Sequence, residues 1–193
     1  MTEPEVGRVG PVEPVEPVEP VEPVEPVGPV EPVEPVGPEE WWAWREIRLR
    51  ALAEDPAAFG STLERETGFR EADWRARLDA TGGPAFLARV DGTPVAMGAG
   101  WAYEPGRLMV VAMWTDPAHR GHGLGTRILE HVVAWARGRD LTPDLWVADG
   151  NPAARAVYER FGFVGTGEVS PLREGSRLTM SRLELPAAVP AER

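Results

Sequence analysis

From Pro11 to Pro38 the sequence repeats Val-Glu-Pro, with glycine in place of glutamate at Gly28 and Gly37. Proline at every third position fixes φ near −65° and removes one backbone donor in three, so neither a helix nor a central strand can form there. The three-residue period matches the turn of polyproline II, which would sort Val, Glu and Pro into separate stripes and reach roughly 85 Å if fully extended. Residues 1–32 are therefore expected to be a disordered or polyproline-like, solvated arm, with a spacing or partner-binding role as the alternative. The end of the repeat differs. Residues 33–36 run directly toward the first helix and can pair as an edge strand, where proline is tolerated.

The arm also carries the charge. The 193 residues have a formal net charge of −11, from 31 acids against 20 basic residues, all of them arginine. Residues 1–40 hold eleven Glu and one Arg, whereas residues 41–193 hold twenty acids and nineteen Arg. The nearly neutral body argues against an acidic nucleic-acid mimic and against a basic nucleic-acid binder. Residues 33–186 have the size of one domain with a real core, leaving 187–193 as a flexible end. Zero cysteine excludes a disulfide framework, a thiolate zinc site and a cysteine nucleophile, and agrees with a reducing cytoplasm. The first residues lack the apolar block of a secretory signal. The longest apolar runs, such as 108–114, fall far short of the roughly 20 residues that span a bilayer. A soluble, cytoplasmic protein is expected.

Within the body, Pro38-Glu39-Glu40 reads as a helix start, with acids at the positive end of the dipole. Trp41, Trp44, Ile47 or Arg48, Ala51 and Leu52 keep helical spacing until Asp55-Pro56. Further helices are expected over 59–66 and 71–80. Strands 86–90 and 95–103 flank Asp91-Gly92, a hairpin dipeptide. The apolar run 108–115 suits a strand buried on both faces. Leu124, Ile128, Val132 and Trp135 then form one stripe of an amphipathic helix. A short buried strand over 145–148 precedes Asn151-Pro152, an N-cap followed by proline at the first helical position. That helix carries Ala154, Val157, Tyr158 and Phe161 on one side and ends at Gly162, expected as a left-handed cap. Strands over 163–168 and 177–185 close the chain. The order predicts an α/β fold: a mixed sheet with helices on both faces.

Chemistry concentrates between the 108–115 strand and the amphipathic helix. Gly121, Gly123 and Gly125 let backbone approach a ligand closely, and amides at a helix N-terminus converge on one space, a cradle suited to phosphate. Arg120 at the mouth would add a charge-assisted contact. A Walker loop needs lysine, which this chain lacks, and the dinucleotide pattern fails because Thr126 stands where its third glycine is due. A tight strand-to-helix connection without a ligand remains the alternative on these residues alone. His119, His122 and His131 lack the spacing of a metal site, so no metal is expected.

Thr115-Asp116-Pro117 followed by Arg120-x-x-Gly123-x-Gly125 resembles the acetyl-coenzyme A signature of GNAT superfamily N-acetyltransferases. Asn151-x-x-Ala154-x-x-x-Tyr158-x-x-x-Gly162-Phe163 resembles that family's second signature, in the right order. The resemblance covers roughly 38–185 and includes the opening Arg48-Leu49-x-Ala51-Leu52. Thr115 departs from it, since the family usually has an aliphatic residue there, though a backbone role would survive. The resemblance implies a GNAT-like, splayed central sheet. It implies that the cofactor arm pairs with Met113, Trp114 and Thr115. It implies that the pyrophosphate lies on amides of Arg120, Gly121, His122, Gly123, Leu124, Gly125 and Thr126. Asn151 would touch the cofactor arm, and Tyr158 would protonate the departing thiolate. These two are seven residues apart, near two helical turns, so both side chains share a face about 10 Å apart along the axis. The implied reaction is direct attack of a primary amine, from a small molecule or a peptide, on acetyl-CoA, with a strand amide stabilising the oxyanion. The alternative is a catalytically silent module of the same fold. No nucleic acid and no membrane are expected as partners, and a homodimer is compatible. Glu64, Glu66 and Asp73 are candidate bases, each more simply a solvated helix-face carboxylate. Trp41, Trp42 and Trp44 are candidate walls of an acceptor pocket, and Arg127 and Arg155 candidate phosphate contacts.

Overall fold

The computed structural model describes residues 31–79 and 82–187, so most of the expectations for 1–32 and 187–193 lie outside the described residues. Residues 31–36 of the repeat enter the fold. Strand β1 (Glu34–Pro35) pairs antiparallel with Leu87 and Phe86 at a sheet edge, where proline's missing donor leaves no central ladder bond broken. Val33 and Val36 are buried on either side of it, one in each of two apolar cores. A single turn at Pro38–Glu40 leads into helix α1 (Trp41–Glu54), whose buried side carries Ala43, Trp44, Ile47, Ala51 and Leu52. The helix expected over 59–66 is shorter and later. Pro56–Ala58 makes one turn, and α2 (Leu63–Thr67) starts where the Thr62 hydroxyl accepts from the Arg65 amide at 3.2 Å, a stronger start signal than the Phe59-Gly60 before it. Helix α3 (Glu71–Arg77) also stops earlier than expected, at Leu78; Ala80 lies outside the described residues.

The remaining elements are β2 (Ala85–Val90), β3 (Thr93–Glu104), β4 (Arg107–Thr115), α4 (Leu124–Arg137), β5 (Thr142–Ala148), α5 (Pro152–Phe161), β6 (Val164–Pro171) and β7 (Thr179–Glu184). Asp91 and Gly92 both take positive φ, 49° and 74°, which is the expected tight hairpin between β2 and β3. The sheet order is β1-β2-β3-β4-β5-β7-β6, with β4 and β5 parallel and the other neighbours antiparallel. Helix α4 packs on one face with Leu108, Val110, Leu145 and Leu183; α1 and α3 pack on the other with Leu87, Met97 and Trp114. The expected mixed sheet with helices on both faces is what forms. Phe163, expected in a strand, instead lies just before β6 as a core side chain.

The sheet opens in its middle. Pairing between β4 and β5 runs from Arg107↔Thr142 to Val110↔Leu145 and ends there, although β4 continues to Thr115 and β5 to Ala148. Two local devices produce the splay. At the closed end, fully buried Asp144 accepts from Arg107 and Arg182, each at 2.7 Å, and from the Tyr103 hydroxyl at 2.6 Å. Past it, Ala112 adopts φ 57°, and the register of β4 against β3 slips opposite Met97 and Ala99. Such a backbone costs about 1–3 kcal/mol and persists only where the surroundings over-determine it. β4 thus follows β3 and leaves β5. This also explains why Val111, Ala112 and Met113 are only half-buried, where an apolar run suggested burial on both faces. Gly98 permits the bend, because a Cβ there would collide with Ile128 of α4 and with Met113.

Candidate functional site

A cleft of about 1010 Å³ occupies the opening between β4 and β5. Met113, Trp114 and Thr115 line it from β4, and Ala148 and Asn151 line it from the end of β5. One wall is the loop into α4 together with α5; the other combines residues 54–58 with 177–179.

The glycine loop is built as its sequence demands. Asp116 Oδ1 accepts from the Ala118 amide at 3.0 Å and starts a single turn, Pro117–His119. Gly121 and Gly123 then adopt φ 82° and 76°, left-handed conformations that glycine takes without strain. Gly123 is the N-cap of α4 and supplies no side-chain acceptor, so the first amides of a 14-residue helix, those of Leu124, Gly125 and Thr126, have no partner among the described residues. Gly125 is different. Its φ is ordinary, and an added Cβ would meet only Thr115 Oγ1 at 3.6 Å, so protein packing does not require glycine there. Glycine there keeps the helix end free of a side chain, as close approach of an anion requires. Leu124 itself contributes only backbone, since its side chain is in the core.

The other expected residues fall out unequally. The Trp114 side chain turns into the α1-side core and donates from Nε1 to Asp55 Oδ2 at 2.7 Å, leaving backbone at the cleft. Arg120 lines the cleft but is already engaged: Nε donates to the Thr115 carbonyl at 3.0 Å and Nη2 to Asp55 Oδ2 at 2.5 Å. His122 does not line the cleft; its Nδ1 lies 2.9 Å from the Arg120 carbonyl oxygen. Asn151 caps α5, its Oδ1 accepting from the Ala154 amide at 3.0 Å while its NH₂ has no partner among the described residues. Tyr158 lines the same wall, packed edge-on against Phe163 with ring centroids 6.0 Å apart. Its hydroxyl makes no hydrogen bond among the described residues, and burial pushes its pKa up to about 12. Gly162 ends α5 with φ 112°, the expected left-handed cap.

The candidate bases are corrected. Glu66 is not solvated: it is fully buried and accepts from Arg48 at 3.0 Å and 2.8 Å. Burial alone would raise its pKa, but the Arg48 bonds and charge, helped by Ser61 and Arg77, hold the carboxyl below its ordinary value. Asp73 accepts from the Arg70 amide at 2.8 Å and caps α3, and neither it nor Glu64 lines the cleft. Trp41, Trp42 and Trp44 do not line it either. Arg155 pairs with Asp149 and Glu159, and Arg127 reaches the Glu31 carbonyl, so neither is a cleft residue.

Three cleft carboxylates, Glu54, Asp55 and Asp149, escaped the sequence reading. Asp55 was legible only as the end of α1; its partners Trp114 and Arg120 are remote in sequence. Asp149 accepts from Ser181 Oγ at 2.5 Å and Thr179 Oγ1 at 2.6 Å, and faces Arg155 at 3.6 Å. The Ser181 and Thr179 hydroxyls hold its carboxyl below the ordinary carboxylate range. Asp149 thereby ties the entry of α5 to β7 and sets where Asn151 and Tyr158 stand. Among the described residues no group of three or more His, Asp or Glu is placed to hold a metal, and no helix is long and apolar enough to cross a membrane.

Residues 41–163 match the model of the acetyltransferase (GNAT) family. The chain is 30% identical over 118 residues to a mycothiol acetyltransferase of Clavibacter sepedonicus, covering 60% of this chain and 38% of that protein. It is 32% identical over 129 residues to a mycothiol acetyltransferase of Acidimicrobium ferrooxidans, covering 63% and 39%. The chain thus matches about two fifths of the length of these curated relatives. Among solved structures, a Salmonella typhimurium protein determined with its cofactor acetyl-CoA has a TM-score of 0.68 at 17% identity, covering 84% of this chain and 96% of that one. The ribosomal-protein-S18-alanine N-acetyltransferase of Escherichia coli has a TM-score of 0.58 at 18% identity, covering 83% and 97%. At these identities the structures speak for the fold.

Proposed function

The chain belongs to the GNAT acetyltransferase family, and from that membership we propose that the cleft binds acetyl-CoA and passes its acetyl group to a primary amine. The observation that carries this reading is the junction of β4 and α4: an unpaired strand edge and an uncapped helix N-terminus open into one cleft. An extended, polyanionic cofactor needs both. The amides of Leu124, Gly125 and Thr126 would hold the diphosphate, and the open edge at Met113, Trp114 and Thr115 would hold the extended arm as an added strand would be held.

Bound acetyl-CoA would supply a thioester carbonyl open to attack by a neutral amine, the C–N bond forming as the C–S bond breaks and the amine's excess proton passing to water. The free NH₂ of Asn151 would orient the arm, and an amide of the open β4 edge would donate to the carbonyl oxygen. Tyr158 keeps its proton throughout the neutral range, because burial disfavours the phenolate. With no acceptor of its own, the hydroxyl is available to donate to the leaving sulfur. Asp149 positions this wall by fixing the start of α5. The relatives named for mycothiol and the neighbour named for ribosomal-protein alanine differ in acceptor, so the reading stops at a primary amine of a small molecule or peptide. The cytoplasm is the proposed setting, in keeping with the absence of cysteine.

Titration with acetyl-CoA followed by thermal melting, then thiol release with an amine panel, tests the proposal. Stabilisation together with thiol release supports it. Stabilisation without release from any amine would favour a silent acetyl-CoA-binding module, and no stabilisation would remove both.

A further inference from the structure

The cleft passes through the sheet. β4 and β5 stop pairing after Val110↔Leu145, so the opening between them has a mouth on each face. On one face stand the loop into α4 and helix α5, whose Ala154, Tyr158 and Phe161 pack against the α4-side core. On the other face one rim is 54–58, which leads from α1 to Phe59 in the α1-side core. The opposite rim is the end of the β6–β7 connection, at Arg177 and Leu178. That connection is fastened across the face. Arg173 donates to the carbonyls of Ser61 at 3.5 Å and Pro56 at 3.2 Å, and a Cβ at Gly60 would come within 3.1 Å of the Leu172 carbonyl oxygen. A cofactor held along α4 and α5 fills the first mouth. An amine that attacks its thioester then enters by the second, since attack needs the side of the carbonyl that the cofactor arm leaves open.

The charges at this second mouth are unevenly used. Asp55 is bonded to Trp114 and Arg120, and Arg173 is spent on the two carbonyls. Arg177 lines the cleft, is exposed, and has no hydrogen bond or ion pair among the described residues. Glu54, on the facing rim, is also unpaired, and the two do not pair with each other. Leu178, next to Arg177, is exposed and apolar. A guanidinium without a carboxylate of its own can take one from a ligand through two parallel charge-assisted bonds. It repels a second ammonium at the same place, so a diamine is the poorer fit.

We propose that Arg177 holds an anionic group of the acceptor, so that the amine acetylated here belongs to a molecule that also carries a carboxylate. The proposal rests on the acetyl-CoA reading above and goes beyond it by naming a second chemical group on the acceptor and the residue that recognises it. The amine reaches the thioester between β4 and β5 while its acid end stays at the rim. Arg177 touches no reacting atom, so its contact is the same before and during the transfer. Such uniform binding lowers KM and leaves kcat alone.

Thiol release at saturating acetyl-CoA decides it, with two series of probes: linear ω-aminocarboxylates from glycine to 6-aminohexanoate, and n-alkylamines of matching length. The series covers the spans at which one molecule could reach both the thioester and Arg177. At least one aminocarboxylate is expected to have a KM about five- to tenfold below that of its matched alkylamine, between an exposed ion pair and a shielded charge-assisted bond. Arg177→Gln should erase that advantage with kcat unchanged, and Arg177→Lys should keep part of it. Glu54→Gln, which alters the charge of the facing rim, should leave the preference in place. Three results overturn the proposal: no preference for the carboxylate at any length, a preference that survives Arg177→Gln, or an equal rise in KM for both series in that variant. Binding of acetyl-CoA with no turnover of any probe also overturns it and leaves the cofactor reading standing. Absence of acetyl-CoA binding removes both.

Discussion

The two walls of the cleft are built from opposite materials. On the α4–α5 wall several groups that face the opening are left without partners: three helix amides, the Asn151 NH₂ and the Tyr158 hydroxyl. On the α1 wall and beneath it, polar groups are already spent on one another, as in Arg120–Asp55 and Arg48–Glu66. An unpartnered donor near water costs little and is available at once to a ligand. A paired charge holds shape instead, and is released to a ligand only by competition. Binding strength should therefore be concentrated on one wall and architecture on the other.

The strongest way to break that contrast is at Glu66. It is the buried residue of the five-residue α2, and Arg48 reaches it from α1 through two hydrogen bonds. Glu66→Ala strands the Arg48 guanidinium, which is itself buried, and is expected to cost about 3–5 kcal/mol in urea unfolding. The double change Arg48→Met with Glu66→Leu should recover most of that loss, because no orphaned charge remains. A single-variant cost below about 1 kcal/mol would show that the pair does not hold the wall.

Tyr158 separates the walls in the other direction. Removing an unbonded hydroxyl breaks no protein contact, so Tyr158→Phe should keep its melting temperature near neutral pH while turnover falls about 10²–10⁴-fold, as loss of a general acid does. Its pKa is higher folded, about 12, than the ordinary 10 of the unfolded chain. Below pH 10 tyrosine is neutral in both states, and its contribution to stability is complete. Between about 10 and 12 the unfolded chain ionises first, so stability falls as pH rises through that window. The fall should be smaller in Tyr158→Phe. Equal alkaline destabilisation of both proteins would show that Tyr158 does not titrate later in the folded chain than in the unfolded one.

The same contrast governs what was legible in the sequence. Gly121, Gly123, Asn151-Pro152 and Gly162 are local devices: each constrains its own backbone within a few residues, and each stands where expected. Asp55, Glu66 and Asp149 depend on partners brought together by the fold. Thr179 and Ser181 lie 30 and 32 residues from Asp149, and no spacing rule reaches that far. The helix over 59–66 failed for a related reason. A start at Phe59 was expected, but the Thr62 cap sets it later. The splay was expected from resemblance alone; its physical cause, positive φ at Ala112, has no signal in an apolar run.

Gly123→Val is a smaller test of the ligand wall. A β-branched residue at φ 76° is strained, and that strain costs about 1–3 kcal/mol of stability. Its side chain would also crowd the three amides, so acetyl-CoA affinity should fall by more than the stability loss explains. Gly125→Ala isolates the second effect. Protein packing leaves room for a Cβ, so melting should hold while affinity drops about tenfold, a change of roughly 1.4 kcal/mol. Unaltered affinity in a folded Gly125→Ala variant would move the anion away from this helix end.

The smallest effect is expected where the charge is greatest. Residues 1–40 carry a net −10, yet the part of the repeat that enters the fold buries Val33 and Val36 in the cores, while its Glu31 and Glu34 bond only at exposed positions, to the Gly92 amide and to Arg89. Removing residues 1–30 leaves β1, both valines and the whole cleft lining in place. Turnover and melting temperature should then match those of the full chain. Val33→Ala with Val36→Ala in the full chain keeps every charge and should still cost about 2–4 kcal/mol, from two buried side chains trimmed by two carbons each. If the deletion is the more damaging of the two, the glutamates act on the domain in a way that the apolar docking of β1 does not supply, and neither wall of the cleft would then be independent of the arm.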